Sequence, residues 1–347
     1  MRIIQIVPWL PPPFEGVGTH AVALARALAE RFGIETRFVV GDPAWTGGRD
    51  DARAVQVRNA AELLAVLNAE ANVLLLHYAN YGYQRRGCPT WLVEGLTCWR
   101  SQGAGRRIVT LFHEVWASGP LWRSSFWLQP IQRRLAVSLV RLSESLVTSL
   151  GIYGEMLEPW SQSKRIAVMP VFSAVGEPET PSPLADRARR IVVFGGAGVR
   201  RRAYSRFLQV LAEAAQVLAA EEICDVGPAI DLPPLAGGVP VRPLGVLPAN
   251  EVSDFLLGSA GGFLAYPPDF LPKSTIFAAY CVHGLLPVCA WDHHPKDGPL
   301  VEGRHYWAGS GDPQAIASAA RAWYDGHTLS RQVEVFYSLL TGATAET

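Results

Sequence analysis

Short apolar runs alternate with stretches of helical period along most of the chain. Residues 2–7, RIIQIV, are the first run and predict a buried strand, and residues 8–18 form a loop with four prolines and two glycines. Thr19 then stands where a helix cap belongs. Val22, Leu24, Ala25, Leu28 and Phe32 recur at helical spacing, with Arg26, Glu30 and Arg31 on the other face. Gly33 ends that helix and residues 35–40 predict a second strand. The alternation continues through a strand at 73–77 (VLLLH), a helix at 89–100, and strands at 107–112 and 146–150. A strand, a glycine-bearing loop, a helix and a strand in that order open a doubly wound α/β domain.

Residues 172–190 are rich in Pro, Glu and Ser, the composition of a linker, and a second α/β half follows. It begins with a strand at 191–194, a loop GGAGVRRR at 195–202 and a helix at 204–218, then strands at 222–226 and 241–247. The stretch 262–288 carries its densest signal: a buried run at 263–266, a proline-rich loop, Ser274 and Thr275 where an N-cap belongs, and a helix at 276–283. Helices at 312–323 and 331–340 come last. A length of 347 residues is long for one core and comfortable for two.

Charge narrows the partner classes. There are 31 basic and 31 acidic residues and a pI near 7.1, so no global field draws a nucleic acid and any basic surface is local. The five cysteines lack metal-ligand spacing and the opening MRIIQIVPW has no signal-peptide pattern, which together point to a reducing cytoplasm. No apolar run approaches the ~20 residues that span a bilayer.

Strand, loop and helix N-terminus at 262–288 make an anion site, because the first N–H groups of a helix have no intrahelical partner and the macrodipole is positive there. Lys273 would add a point charge beside the cap; the other lysines are Lys164 and Lys296. The alternative is an ordinary capped helix with a solvated lysine. The KST triplet is not a P-loop, since Pro272 and Pro268 stand where Walker A needs glycine. His77 and Tyr78 leave a buried strand at its carboxyl end, where open α/β sheets gather ligands, or else they close the strand structurally. His113 and Glu114 follow the strand at 107–112 in the same way, and an imidazole there can hydrogen-bond or move a proton. Residues 116–141 mix Trp116, Trp122, Phe126 and Trp127 with Arg123, Arg133, Arg134 and Arg141 and contain no acid. That mixture suits an anionic membrane surface or a lipid-linked anion, and equally an amphipathic helix packed on its own domain.

The stretch VPWLPPPFEGVGTHAVALARALAERFGIETRFVV, residues 7–40, resembles the opening of the nucleotide-sugar-dependent glycosyltransferases of the GT-B fold, particularly the large family numbered four. The resemblance implies an α/β protein of two Rossmann-like doubly wound domains facing an interdomain cleft. These are an acceptor-side domain at 1–172, a nucleotide-sugar-binding domain at 173–327, and a last helix at 328–347 that crosses back to the first. It implies transfer of a sugar from a nucleotide diphosphate sugar to a carbohydrate or lipid-linked acceptor, retaining, with no cofactor, no metal ion and no nucleic acid. The place would be the cytoplasm, or the inner face of the cell membrane through contact with anionic lipid.

Residue by residue, the resemblance gives Gly16 and Gly18 the donor diphosphate, with Glu15 where a glycine is common. His113, with Glu114 beside it, would face the transferred sugar, and His20, His77 and Tyr78 would line the acceptor side. Arg200 and Arg201, clustered with Arg202, would replace the family's pyrophosphate-binding lysine, while Gly196 stands at its arginine position. Lys273, Ser274 and Thr275 complete the donor site. The family's two glutamates fall at Leu271 and Ala279 when Gly284 and the Pro287-Val288 pair are aligned; Asp269 replaces the first if the loop shifts by two residues. Their absence keeps a second reading open, a catalytically silent GT-B protein that binds a sugar or nucleotide or scaffolds a partner enzyme.

Overall fold

A computed structural model describes the chain apart from residues 12–15, 46, 48–52, 71, 118–123, 294, 296–297 and 344–347, so Glu15, Trp122, Arg123 and Lys296 lie outside the described residues. The chain divides into two compact units, Met1–Pro170 with Leu329–Thr347, and Val171–Thr328.

The first unit runs β1 (Arg2–Val7), α1 (Gly16–Phe32), β2 (Glu35–Val40), β3 (Ala54–Gln56), α2 (Ala60–Glu70), β4 (Val73–Tyr78), α3 (Asn80–Tyr83), α4 (Thr90–Ser101), β5 (Arg107–Phe112), α5 (Ser124–Leu142), β6 (Ser145–Thr148), α6 (Gly151–Leu157) and β7 (Ile166–Val168). Its strands lie in the order β3-β2-β1-β4-β5-β6-β7, every pair parallel. Such a sheet is covered on both faces, which is why β1 and β4 read as continuous Ile, Val and Leu runs and are buried along almost their whole length. The chain builds outward from β1 to β3 and then returns to β4 on the other side of β1. The carboxyl ends of β1 and β4 are therefore the switch point of this sheet, where strand order reverses and ligands collect. Tyr83, buried, holds the two ends together: its hydroxyl lies 3.0 Å from the Ile6 carbonyl and 2.8 Å from that of His77.

Helix α1 starts at Gly16, three residues before the expected cap at Thr19, so Gly16 and Gly18 belong to its first turn. Gly18 packs under its own loop, where a Cβ would stand 2.6 Å from the Trp9 carbonyl oxygen. Lys164 caps the far end of α5, its ammonium donating to the carbonyls of Val140, Arg141 and Ser143 at 3.0, 3.2 and 2.7 Å. The last helix, α12 (Leu329–Thr341, numbered after the second unit's elements), packs on α1 through a Phe32–Tyr337 stack at 4.0 Å and an Arg31–Glu334 ion pair.

The second unit runs β8 (Ala188–Phe194), α7 (Ala197–Arg206), α8 (Leu208–Val217), β9 (Glu222–Val226), β10 (Leu235–Ala236), β11 (Val239–Gly245), α9 (Ala249–Leu257), β12 (Ser259–Leu264), α10 (Thr275–Val282), β13 (Leu286–Cys289) and α11 (Pro313–Tyr324). Strand order is β10-β11-β9-β8-β12-β13, parallel except for β10 against β11. Its switch point lies between β8 and β12. Tyr280 of α10 ties these two strands: its hydroxyl is 3.2 Å from the carbonyls of Val192 and Phe263 and accepts from Phe194 N–H at 3.2 Å. Gly262 makes room for that ring, since a Cβ there would lie 2.6 Å from it. Two expectations are corrected. Residues 197–202 are helix rather than loop, the turn being complete at Gly195 and Gly196, and the helix expected at 204–218 is two helices that break at Phe207.

His283 follows α10 with its Nδ1–H donating to the Ala279 carbonyl at 2.7 Å and its Nε2 accepting from Ser253 Oγ at 2.7 Å. Burial pulls its pKa from 6.5 down to about 4. The unfolded chain thus binds the extra proton first as pH falls, so the stability this residue contributes is complete above pH 6.5 and is lost progressively toward pH 4, by up to about 3 kcal/mol. Melting temperature measured from pH 7.5 to 4.5 is expected to fall less steeply in His283→Gln than in the wild type. Identical slopes would remove His283 as the source.

Candidate functional site

At the switch point of the first unit, three histidines from three elements meet. His20 comes from α1, His77 from the end of β4, and His113 from the residue after β5, whose backbone is held by its N–H donating to the Tyr78 carbonyl at 2.9 Å. Ring centroids lie 5.4 to 5.9 Å apart, and all three side chains are buried. Gln5, fully buried in the middle of β1, sets the tautomers. Its Oε1 can only accept, so His77 Nε2 donates to it at 2.9 Å. His77 Nδ1 is then an acceptor and takes a hydrogen bond from His113 Nε2 at 3.2 Å. Burial holds His20 down at about 4, the Gln332 hydrogen bond offsetting only part of it, and pushes His77 well below 6.5, with His20 adding to the effect. Both rings are therefore neutral at physiological pH.

Of the residues expected on this side, His20, His77 and His113 converge and Tyr78 does not. Tyr78 points into the core, edge-on to Phe112 at 5.5 Å and fully buried, because alternate residues of a strand face opposite sides of the sheet. Glu114 is half-buried next to His113, and its N–H shares the Tyr78 carbonyl at 3.3 Å. Gln5 was not among the expected residues; its one signal is a lone polar side chain inside the apolar run RIIQIV.

In the second unit, α7 and α10 begin just past the carboxyl ends of the neighbouring strands β8 and β12. Ser274 is the N-cap of α10: its hydroxyl accepts from Phe277 N–H at 3.2 Å. The N–H groups of Thr275 and Ile276 have no carbonyl partner within the helix by its geometry. At the start of α7, Gly196 is the cap residue, and a Cβ on Gly196 or Gly198 would meet nothing within 4 Å. The two helix starts adjoin: a side chain on Gly195 would strike Ile276. Lys273, half-buried, lies 5.5 Å above the Phe270 ring.

The arginine cluster separates into three fates. Arg200 is fully buried, ion-paired with Asp225, and bonded to the carbonyls of Pro228 and, at 2.8 Å, Gly195. It stitches the loops after β8 and β9 and turns inward, so its guanidinium is already occupied where the resemblance assigned it to the donor. Arg202 reaches the Ala265 carbonyl at 3.3 Å and lies 5.0 Å over Trp291. Arg201 alone of the three is exposed. Asp269 is exposed and 3.1 Å from His293 Nε2, while Leu271 and Ala279, the positions that the resemblance aligns with two glutamates, are both 0% exposed.

No family model matches the chain, and no curated protein matches it in sequence. Solved structures do match it in fold. An alpha-glucosyltransferase in complex with UDP and a 13-mer DNA containing a HMU base covers 98% of this chain and 99% of its own, at 11% identity and a TM-score of 0.60. WaaG, a glycosyltransferase involved in lipopolysaccharide biosynthesis, covers 99% and 100%, at 13% identity and a TM-score of 0.57. The UDP-GlcNAc 2-epimerase from Methanocaldococcus jannaschii covers 97% and 99%, at 10% identity and a TM-score of 0.55. The likeness is one of fold, and the fold is GT-B, as residues 7–40 imply. One of these neighbours was solved with DNA, so a balanced charge does not by itself exclude a nucleic-acid partner for this fold.

The different placements of Arg200 and Arg201 have opposite consequences for stability. Arg200→Ala leaves Asp225 buried without its cation and is expected to destabilise by about 3–5 kcal/mol. Arg201→Ala, on the surface, is expected to leave the unfolding midpoint in place. Urea denaturation of both variants checks this; equal midpoints would mean that Arg200 is not the staple described.

Proposed function

We propose that the protein transfers a sugar from a nucleotide diphosphate sugar to a carbohydrate or lipid-linked acceptor, with retention of configuration and no metal ion at the diphosphate. The observation that carries this reading is the adjoining pair of helix starts, α7 at Gly196 and α10 at Ser274, at the switch point of the second sheet. A diphosphate seated there gains charge as the sugar leaves, and amide dipoles already fixed in place stabilise that charge without reorganising. Lys273 and Arg201 supply the full positive charges, and Gly16 at the open start of α1 belongs with the donor as well. His113, with Glu114 beside it, is assigned to the transferred sugar, and His20 and His77 to the acceptor side. Structures of this fold solved with UDP or UDP-glucose support a uridine nucleotide as the first donor to test.

A second reading, a silent GT-B protein that binds a sugar or nucleotide or scaffolds an enzyme, is favoured by one observation: the positions of the two family glutamates are apolar and wholly buried. Calorimetry with UDP and UDP-sugars, paired with an assay of UDP release, separates the two. Transfer predicts that Lys273→Ala and Arg201→Ala each weaken UDP binding by roughly 10- to 100-fold, the worth of one charged hydrogen bond. His113→Ala should slow UDP release while leaving UDP affinity in place. Unchanged affinity in the Lys273/Arg201 double variant would overturn the donor placement, and UDP-sugar binding without turnover would establish the silent reading.

We also place the segment at 116–141 against an anionic membrane or lipid-linked acceptor. Among the described residues no helix is long and apolar enough to cross a membrane. On α5, however, Trp127 is 71% exposed, with Arg133, Arg134 and Arg141 also exposed, the Arg133 guanidinium lying over the rings of Trp116 and Trp160 at 5.9 and 5.1 Å. Co-sedimentation is expected with vesicles containing phosphatidylglycerol, to weaken with added salt, and to weaken in Trp127→Ala. Binding indifferent to lipid charge and salt would overturn it.

A further inference from the structure

We infer that His20, His77 and His113 together form a binding site for a divalent transition-metal ion, zinc by the chemistry of the ligands, at the switch point of the first unit. Each ring offers one nitrogen, and the three nitrogens lie within 4.8 Å of one another. Two nitrogens on one tetrahedral zinc, each at about 2.0–2.1 Å, stand about 3.3 Å apart. His77 Nδ1 and His113 Nε2 are already 3.2 Å apart.

The surroundings are those a metal-bound imidazole needs. A ligating histidine usually donates its other ring N–H to an oxygen that fixes its tautomer and orientation. Gln5 Oε1 does this for His77 at 2.9 Å, and that bond aims the Nδ1 lone pair into the group rather than away from it. Gln5 is itself fully buried, with its amide nitrogen 3.4 Å from Thr36 Oγ1, so the orienting oxygen is held from behind. The proton that now lies between His77 and His113 must leave that line for both nitrogens to bind one ion. On coordination His113 carries its hydrogen on Nδ1 in place of Nε2. The ring set is recruited from three elements that no local sequence spacing connects, which is why no metal-ligand motif marks it.

The inference does not rest on the transferase reading, since the three ligands lie in one unit and the measurement needs no sugar donor. The test uses the untagged full chain, freed of metal by chelator, titrated with Co²⁺ and then Zn²⁺. The expected result is one Co²⁺ per chain with the visible bands of tetrahedral nitrogen coordination, displaced by Zn²⁺, and a melting temperature raised by Zn²⁺. His77→Ala, shown by circular dichroism to be folded, is expected to lose the cobalt spectrum. Gln5→Leu keeps all three ligands and should bind about 10- to 100-fold more weakly. Absence of a one-to-one cobalt spectrum in the folded wild type would overturn the inference. So would equal affinity in folded His77→Ala, or a spectrum abolished by His293→Ala at the exposed surface and untouched in His77→Ala.

Discussion

A parallel sheet covered on both faces leaves no water for polar groups along its strands, and that constraint decides where chemistry sits in both units. Gln5 and His77 lie on the neighbouring strands β1 and β4 and satisfy each other. Arg200 and Asp225 do so beside β8 and β9, where an unpaired charge would not be tolerated. What remains for a ligand is gathered at the carboxyl ends. The two switch points are equipped differently: the first with three buried histidines, His77 among them held by the Gln5 amide, the second with the helix N-termini of α7 and α10. The first suits a soft cation or a hydroxyl; the second suits an anion.

Much of the fold was legible because most strands are apolar runs and some helices carry side-chain caps, Ser274 on α10 and Asp312 on α11 among them. Residues 2–7, 35–40 and 107–112 lie on β1, β2 and β5 as read, and Ser274 caps α10. Other elements were hidden for physical reasons. In α2 the apolar residues 63–67 are contiguous and leave no polar stripe to mark a helix. In β12 (Ser259–Leu264) the pair Gly261-Gly262 masks the first half, so the apolar run at 263–266 marks only the strand's end and overshoots it; the interior beside the glycines is filled by the Tyr280 ring. Helix α7 looked like a loop because its first turn carries Gly198 and its next turn three arginines, a composition that says nothing of which guanidinium turns inward.

The site was legible residue by residue and not as a group. His77 and His113 were visible as strand-end histidines, but their meeting with His20 depends on β1 lying beside β4, a long-range pairing that no local pattern encodes. Gln5 was overlooked for the same reason. A buried amide in a strand has meaning only once its neighbour across the ladder is known. Tyr78 failed in the opposite sense, since it sits at the right strand end and faces the wrong side of the sheet.

Leu271 and Ala279 bear on how this chain can change. Ala279 lies in a helix whose residues from Phe277 to Val282 are all buried, and Leu271 is sealed beneath the turn before it. A carboxylate introduced at either position would be stripped of water, a penalty of several kcal/mol against a total stability of about 5–15 kcal/mol. Glutamates at these positions are therefore closed to single substitutions: cavity, counter-charge and acid would have to arrive together. At exposed positions of this unit, Asp269 and Arg201 among them, a new side chain meets solvent instead of a packed interior.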